Sequence, residues 1–299
     1  MFMKDLSKLK PNRTLLLALL FTLMFASATV ASSMPNPRIL ADGKRCVELV
    51  FEERFADAHQ VANGLIRQFP DHPAGYFFRA AIFHYQMLYL RNNVHERAFY
   101  EACNQGIQVG ERNRNLNCQW NDFFLASTIG IQGAFERVNG RLVSSLRLAT
   151  RAMEIFENLN SDEVKDVLYG TGVYEYWIGA NARLLWWMPG VRDNRPRALR
   201  NLETVRNEGI FTNLIVNYDL MEMYLNERRR EQDAIRIANS VLALYPSNSV
   251  ALWALFEAYD ALGEAEKRDA VAARILERIQ QESNNEQMMR HFQRRTRRH

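Results

Sequence analysis

The stretch Tyr169–Arg195, YGTGVYEYWIGANARLLWWMPGVRDNR, limits most tightly what this chain can fold into. It holds three of the chain's five tryptophans, and Tyr169, Val173, Tyr176, Ala180, Leu184 and Trp187 recur at helical steps of three and four. Trp177 and Trp186 lie beside that line and widen it. A helix apolar over so much of its circumference needs other helices on several sides to bury it. Gly170 and Gly172 follow a helix-like segment rather than a strand, so they suit close helix packing and not dinucleotide binding.

The rest of the chain supplies such neighbours. From about Ile39 it reads as twelve amphipathic helices in six pairs, with turn signals between them. The expected spans are 39–53 and 55–69, 74–92 and 94–110, 118–137 and 141–158. A long central helix capped by Ser161 then runs to Met188-Pro189-Gly190, and Asn194-Arg195-Pro196 opens its partner. The spans 211–227 and 231–245, then 248–262 and 264–282, complete the series. No run alternates at period two for long enough to make a strand, so the fold class is all-α.

An internal repeat underlies the pairs. Ala58-x3-Ala62-x2-Leu65-x4-Pro70 and Ala234-x3-Ala238-x2-Val241-x4-Pro246 share one spacing, with an alanine twelve residues before a helix-ending proline. Small residues at that register let paired helices approach closely. The pattern resembles the second helix of a tetratricopeptide repeat. That resemblance implies a right-handed superhelical solenoid of helical hairpins over 39–283. The spacing between repeat anchors Ala58, Ala98, Ser145, Ala198, Ala234 and Ala270 is uneven, so the central repeats are lengthened and irregular. A second resemblance covers about 165–262. Gly172-Val173-Tyr174-Glu175-Tyr176-Trp177, Trp187-Met188-Pro189-Gly190 and the Ala234–Pro246 helix are similar to the eukaryotic tetratricopeptide family containing the yeast inclusion-body clearance protein. What it implies here is the fold.

Charge separates the body from its ends. The chain has net charge +4. Residues 1–31 carry Lys4, Lys8, Lys10 and Arg13 against Asp5, and the last residues carry Arg290, Arg294, Arg295, Arg297 and Arg298. Without both ends, 29 basic residues face 33 acidic ones, a poor match for nucleic acid. The basic start, the apolar run Leu15–Ala26 and the small residues after it read as an export signal over 1–31, either cleaved or retained as an inner-membrane anchor. A short extended leader, 32–38, follows it. The expected location is periplasmic. The tail 284–299 reads as a solvated, Arg-rich terminus able to make weak contact with an anionic membrane.

In an oxidising compartment Cys103 and Cys118 flank a turn and can form a disulfide; with Cys46 they can equally stay buried thiols acting as small hydrophobes. Chemistry is sparse. His95-Glu96-x-x-Phe99 lacks the second histidine of a zinc-protease helix, and the six histidines show no ligand spacing, so no metal or cofactor is expected. Gln281-Glu282-Ser283 resembles the glutamate–serine pair of lytic transglycosylases, but too little chain follows to build a catalytic lobe. The leading expectation is a non-catalytic envelope scaffold that binds a protein or peptide on its concave face. The anchors for it are Arg183, Trp186, Trp187, Arg192 and Arg195. A glycan-cleaving enzyme using Glu282 or another acid, and a signal-anchored assembly factor, are the alternatives.

Overall fold

The computed structural model describes residues 35–114, 118–186, 191–282 and 285–296. These residues form thirteen α-helices and no strand. In chain order they are α1 (Pro37–Phe51), α2 (Phe55–Gln68), α3 (Ala74–Leu90), α4 (Glu96–Arg112), α5 (Gln119–Val138), α6 (Leu142–Phe156) and α7 (Val167–Ala180). There follow α8 (Arg195–Glu208), α9 (Val216–Asn226), α10 (Glu231–Leu244), α11 (Ser249–Ala261), α12 (Ala265–Gln281) and α13 (Glu286–Thr296). The first twelve pack as six consecutive pairs, and α1, α3, α5, α7, α9 and α11 also touch one another in sequence. They form an inner row, with the even-numbered helices outside.

Local chemistry sets the ends. Pro37 opens α1 while the Asn36 side chain accepts from the Arg38 amide at 2.9 Å, and Asn248 does the same for α11 through Ala251 at 3.0 Å. Gly140 and Gly263 turn the chain with φ of +75° and +72°, a region that L side chains rarely adopt. The repeat alanines Ala58, Ala62, Ala234 and Ala238 are completely buried, as their role in close helix approach requires.

The central helix is shorter than expected. Residues 161–166 form turns rather than its first turns, because Asp166 is needed elsewhere. Its fully buried carboxylate accepts the amides of Ile210, Phe211 and Thr212 and the Thr212 hydroxyl, all within 2.8 Å, and pins the approach to α9. After Ala180 the chain again turns through 181–186. The overlong helix is therefore two turn segments around a core of 14 residues.

The tail also departs from expectation. Residues Glu286–Thr296 are helical, with Met288 buried and the His291 ring 4.9 Å from Trp253. Arg295 pairs with Glu257 at 2.7 Å. The arginines hide an amphipathic pattern, and Met288, His291 and Phe292 supply its apolar face. The leader is likewise helical from Pro37 onward, whereas the export signal lies outside the described residues.

The two ends of the array meet. Phe51 stacks on Tyr218 with ring centroids 4.3 Å apart, and Asn248 donates to the Phe51 carbonyl at 3.0 Å. Glu53, at φ +60°, receives the Ser249 amide at 2.6 Å and pairs with Arg278 at 2.8 Å. The row of inner helices thus curls far enough for α1 to reach α9 and α11.

Candidate functional site

Curling leaves a cavity of about 830 Å³ between the inner helices and α6, within the size range of small-molecule sites. Along α3 its wall runs from Phe77 to Arg91, roughly 20 Å at ~1.5 Å per residue. The floor is aromatic: Phe78, Phe123, Phe156 and Phe211 reach it, and Phe211 lies 5.8 Å from Phe78. Gly170 sits there because a Cβ would fall 2.3 Å from the Phe156 ring. The helices' C-terminal ends form the other end, where Asn93 of the α3–α4 turn bonds Asn139 of the α5–α6 turn at 2.6 Å.

Most charges on the wall are matched. Arg137 lies 3.9 Å over the centre of the Trp177 ring and pairs with Glu222 at 3.3 Å. The Tyr169 hydroxyl donates to Asp219 at 2.6 Å. Burial, outweighing that bond, pushes the Asp219 carboxyl up to about 6, and Glu222 nearby adds to the effect. Burial also holds His84 down at about 4, so its ring is neutral. Two polar atoms on the wall have no partner among the described residues: His84 Nδ1 and Trp177 Nε1.

The residues singled out from sequence fall at the mouth of this cavity and behind it. Arg183 and Trp186 are exposed in the 181–186 turns, whose Asn181, Leu184 and Leu185 line the cavity. Arg192 is exposed as well, and Trp187 lies outside the described residues. Arg195 is committed internally, held by Asp193 at 2.6 Å and Glu227 at 2.9 Å, which removes it from the list of free anchors. Five of the eight large apolar side chains exposed among the described residues gather here: Val138, Leu142, Val143, Leu184 and Trp186. Of these, all but Trp186 line the cavity.

Cys46, Cys103 and Cys118 are free thiols, and the disulfide open to the sequence is not formed. Cys103 is buried among Phe99, Met87 and Phe135, whereas Cys118 is exposed beside the start of α5. Burial pushes the Cys46 thiol up to about 12. Glu282 takes a hydrogen bond from Tyr89 and sits 3.6 Å from Arg278, beside the closure of the array and not on the cavity wall. Among the described residues no group of three or more His, Cys, Asp or Glu side chains is placed to hold a metal.

Sequence reasoning missed Arg137, Asp219 and Glu222. The available signal was a pair of acids three residues apart, Asp219 and Glu222, in the largely apolar run Val216–Leu225. Comparison with family models, curated proteins and solved structures finds no match for this chain.

Proposed function

We propose that this chain is a non-catalytic, exported helical-repeat scaffold of the tetratricopeptide type, whose cavity mouth docks a protein or peptide partner. The observation that carries this reading is the clustering of Val138, Leu142, Val143, Leu184 and Trp186 at one opening, with Trp186 82% exposed. Exposed apolar side chains scattered singly are ordinary, whereas a contiguous set beside a cavity marks an interaction surface. Arg183, exposed in the same turn segment as Leu184 and Trp186, adds the guanidinium group that with an aromatic side chain anchors interfaces. The repeat alanines and the six helix pairs support the tetratricopeptide-like solenoid, and the export signal supports a periplasmic site of action. Among the described residues no helix is long and apolar enough to cross a membrane.

The test is crosslinking and pull-down from the native envelope with wild type, Trp186→Ala, Arg183→Ala and the control Leu244→Ala. Leu244 is 71% exposed and is not among the cavity-lining residues. A partner captured by wild type, lost with Trp186→Ala and Arg183→Ala and kept with the control fits the reading; identical partners for all four sink it.

A second reading has one observation in its favour. Asp219, ionising near 6 beside open space, has the protonation of a general acid, which keeps a glycan-cleaving activity in view. Digestion of cell-wall glycan by purified protein, lost on Asp219→Asn, would establish it.

A further inference from the structure

Beyond partner docking, the cavity itself is built for a ligand, and three features specify its chemistry. The first is the wall. An extended peptide brings an amide donor and acceptor per residue, and each is costly to bury unpaired. Here Arg137 already pairs with Glu222 and Tyr169 with Asp219, and the buried wall atoms left without a partner are two ring nitrogens, of His84 and Trp177. A hydrocarbon chain makes no such demand.

The second feature is length. The wall of roughly 20 Å along α3 exceeds the ~15 Å that one acyl chain spans in its half of a ~30 Å bilayer core. The aromatic floor closes the deep end.

The third is charge at the open end. Arg91, on the cavity wall and open to solvent, makes no hydrogen bond or ion pair among the described residues; its guanidinium lies 5.6 Å from the Trp253 ring centre. Beside it α13 brings further arginines. His291, against Trp253, is held down at about 4 by burial and then by the positive charges of Arg91, Arg295 and Arg294. Glu257 pairs with Arg295 at 2.7 Å and its charge also acts on Arg91, so one carboxylate serves two guanidinium groups and positive charge is left over. The C-terminal ends of the inner helices place partial negative charge here, but that effect fades within a turn and is smaller than a full guanidinium charge.

We infer that the cavity binds a single-chain anionic amphiphile, its hydrocarbon chain lying along α3 over the Phe78–Phe211 floor and its carboxylate or phosphate head on Arg91. His84 lines the chain's path with a neutral ring.

Isothermal titration of the full chain with dodecanoate, dodecyl phosphate, dodecyltrimethylammonium and inorganic phosphate, each below its micellar concentration, tests this. Both anionic amphiphiles should bind at one per chain, at least tenfold more tightly than the cationic one and far more tightly than inorganic phosphate. Arg91→Gln should weaken dodecanoate about tenfold. Ala134→Trp, on the cavity wall, should abolish binding. Gly130→Leu, where an added Cβ meets only Ala152 at 3.9 Å, is a second obstruction that the helix accommodates. Thermal melts confirm that both variants fold. Equal binding of the cationic amphiphile, equal binding of inorganic phosphate, or full binding by both obstructed variants would overturn the inference. Absence of any amphiphile heat would overturn it too, while Trp186-dependent partner capture would still stand as a separate result.

Discussion

Two carboxylates, the fully buried Asp166 and the half-buried Asp219, sit at opposite ends of a range of satisfaction. Asp166 takes four hydrogen bonds, three from backbone amides, and none of its surface is exposed. Asp219 takes one side-chain bond, from Tyr169, and faces the cavity. Glu53 resembles Asp166: burial pushes its carboxyl up, yet Arg278 and the Ser249 amide bond both of its oxygens. A saturated carboxylate has no capacity left for a ligand and acts as a clamp between distant segments. An undersaturated one beside open space keeps its acceptor capacity and its proton available.

The strongest way to break that contrast is to strip the saturated group. Asp166→Ala leaves three buried amides and a hydroxyl unpaired, at ~1–3 kcal/mol each, so a loss of at least ~4 kcal/mol is expected in urea unfolding. Survival with a loss under ~1 kcal/mol would mean that the 210–212 turn is held by something else. Next in size, Glu53→Ala leaves the half-buried Arg278 and the Ser249 amide without their partner and should cost about 2–3 kcal/mol. The double variant Glu53→Met/Arg278→Leu should recover much of that loss, since it leaves no charge unpaired.

At Asp219 the effect depends on pH. Its folded pKa of about 6 lies above the ordinary 3.8. The neutral carboxyl therefore stabilises the fold fully below about pH 4, and that contribution is lost as pH rises through about 6, a difference of ~3 kcal/mol. Asp219→Asn should remove this part of the pH dependence, so the gap between its melting curve and wild type's should change between pH 4 and pH 7.5. A gap that stays constant would place Asp219 with the saturated clamps. The smallest expected change is at Trp186. Trp186→Ala should leave stability within ~0.5 kcal/mol while abolishing partner capture. Cysteine labelling gives a companion check on the disulfide: Cys118 should react with maleimide in the native protein, and Cys46 and Cys103 only after unfolding.

Helix positions were legible because periodicity is a local property. Turn signals such as Pro70, Asn139-Gly140 and Pro246 placed the expected helices close to where they occur, the central one excepted. Errors arose where a local rule met a distant demand. Ser161 offers a good cap, but Asp166 is drawn to the amides of 210–212, so α7 begins at Val167. In the tail, five arginines outweighed Met288, His291 and Phe292 until Trp253 gave those side chains a surface. The candidate site was half legible. Arg183, Trp186 and Arg192 stand exposed, as binding anchors should, while Arg195 is consumed by Asp193 and Glu227.

By itself the sequence determined that the chain is all-helical, that its helices come in six pairs, and that alanines mark their closest contacts. Each of these follows from residues three, four or twelve apart, within reach of one helix and its neighbour. Only the tertiary structure decided that α1 meets α9 and α11, that a cavity remains inside, and that Arg91 stands at its mouth without an ion pair. Those features join residues up to 225 positions apart, as with Glu53 and Arg278. Contacts at such separations depend on the summed curvature of all the intervening helix pairs, which no single stretch of sequence records.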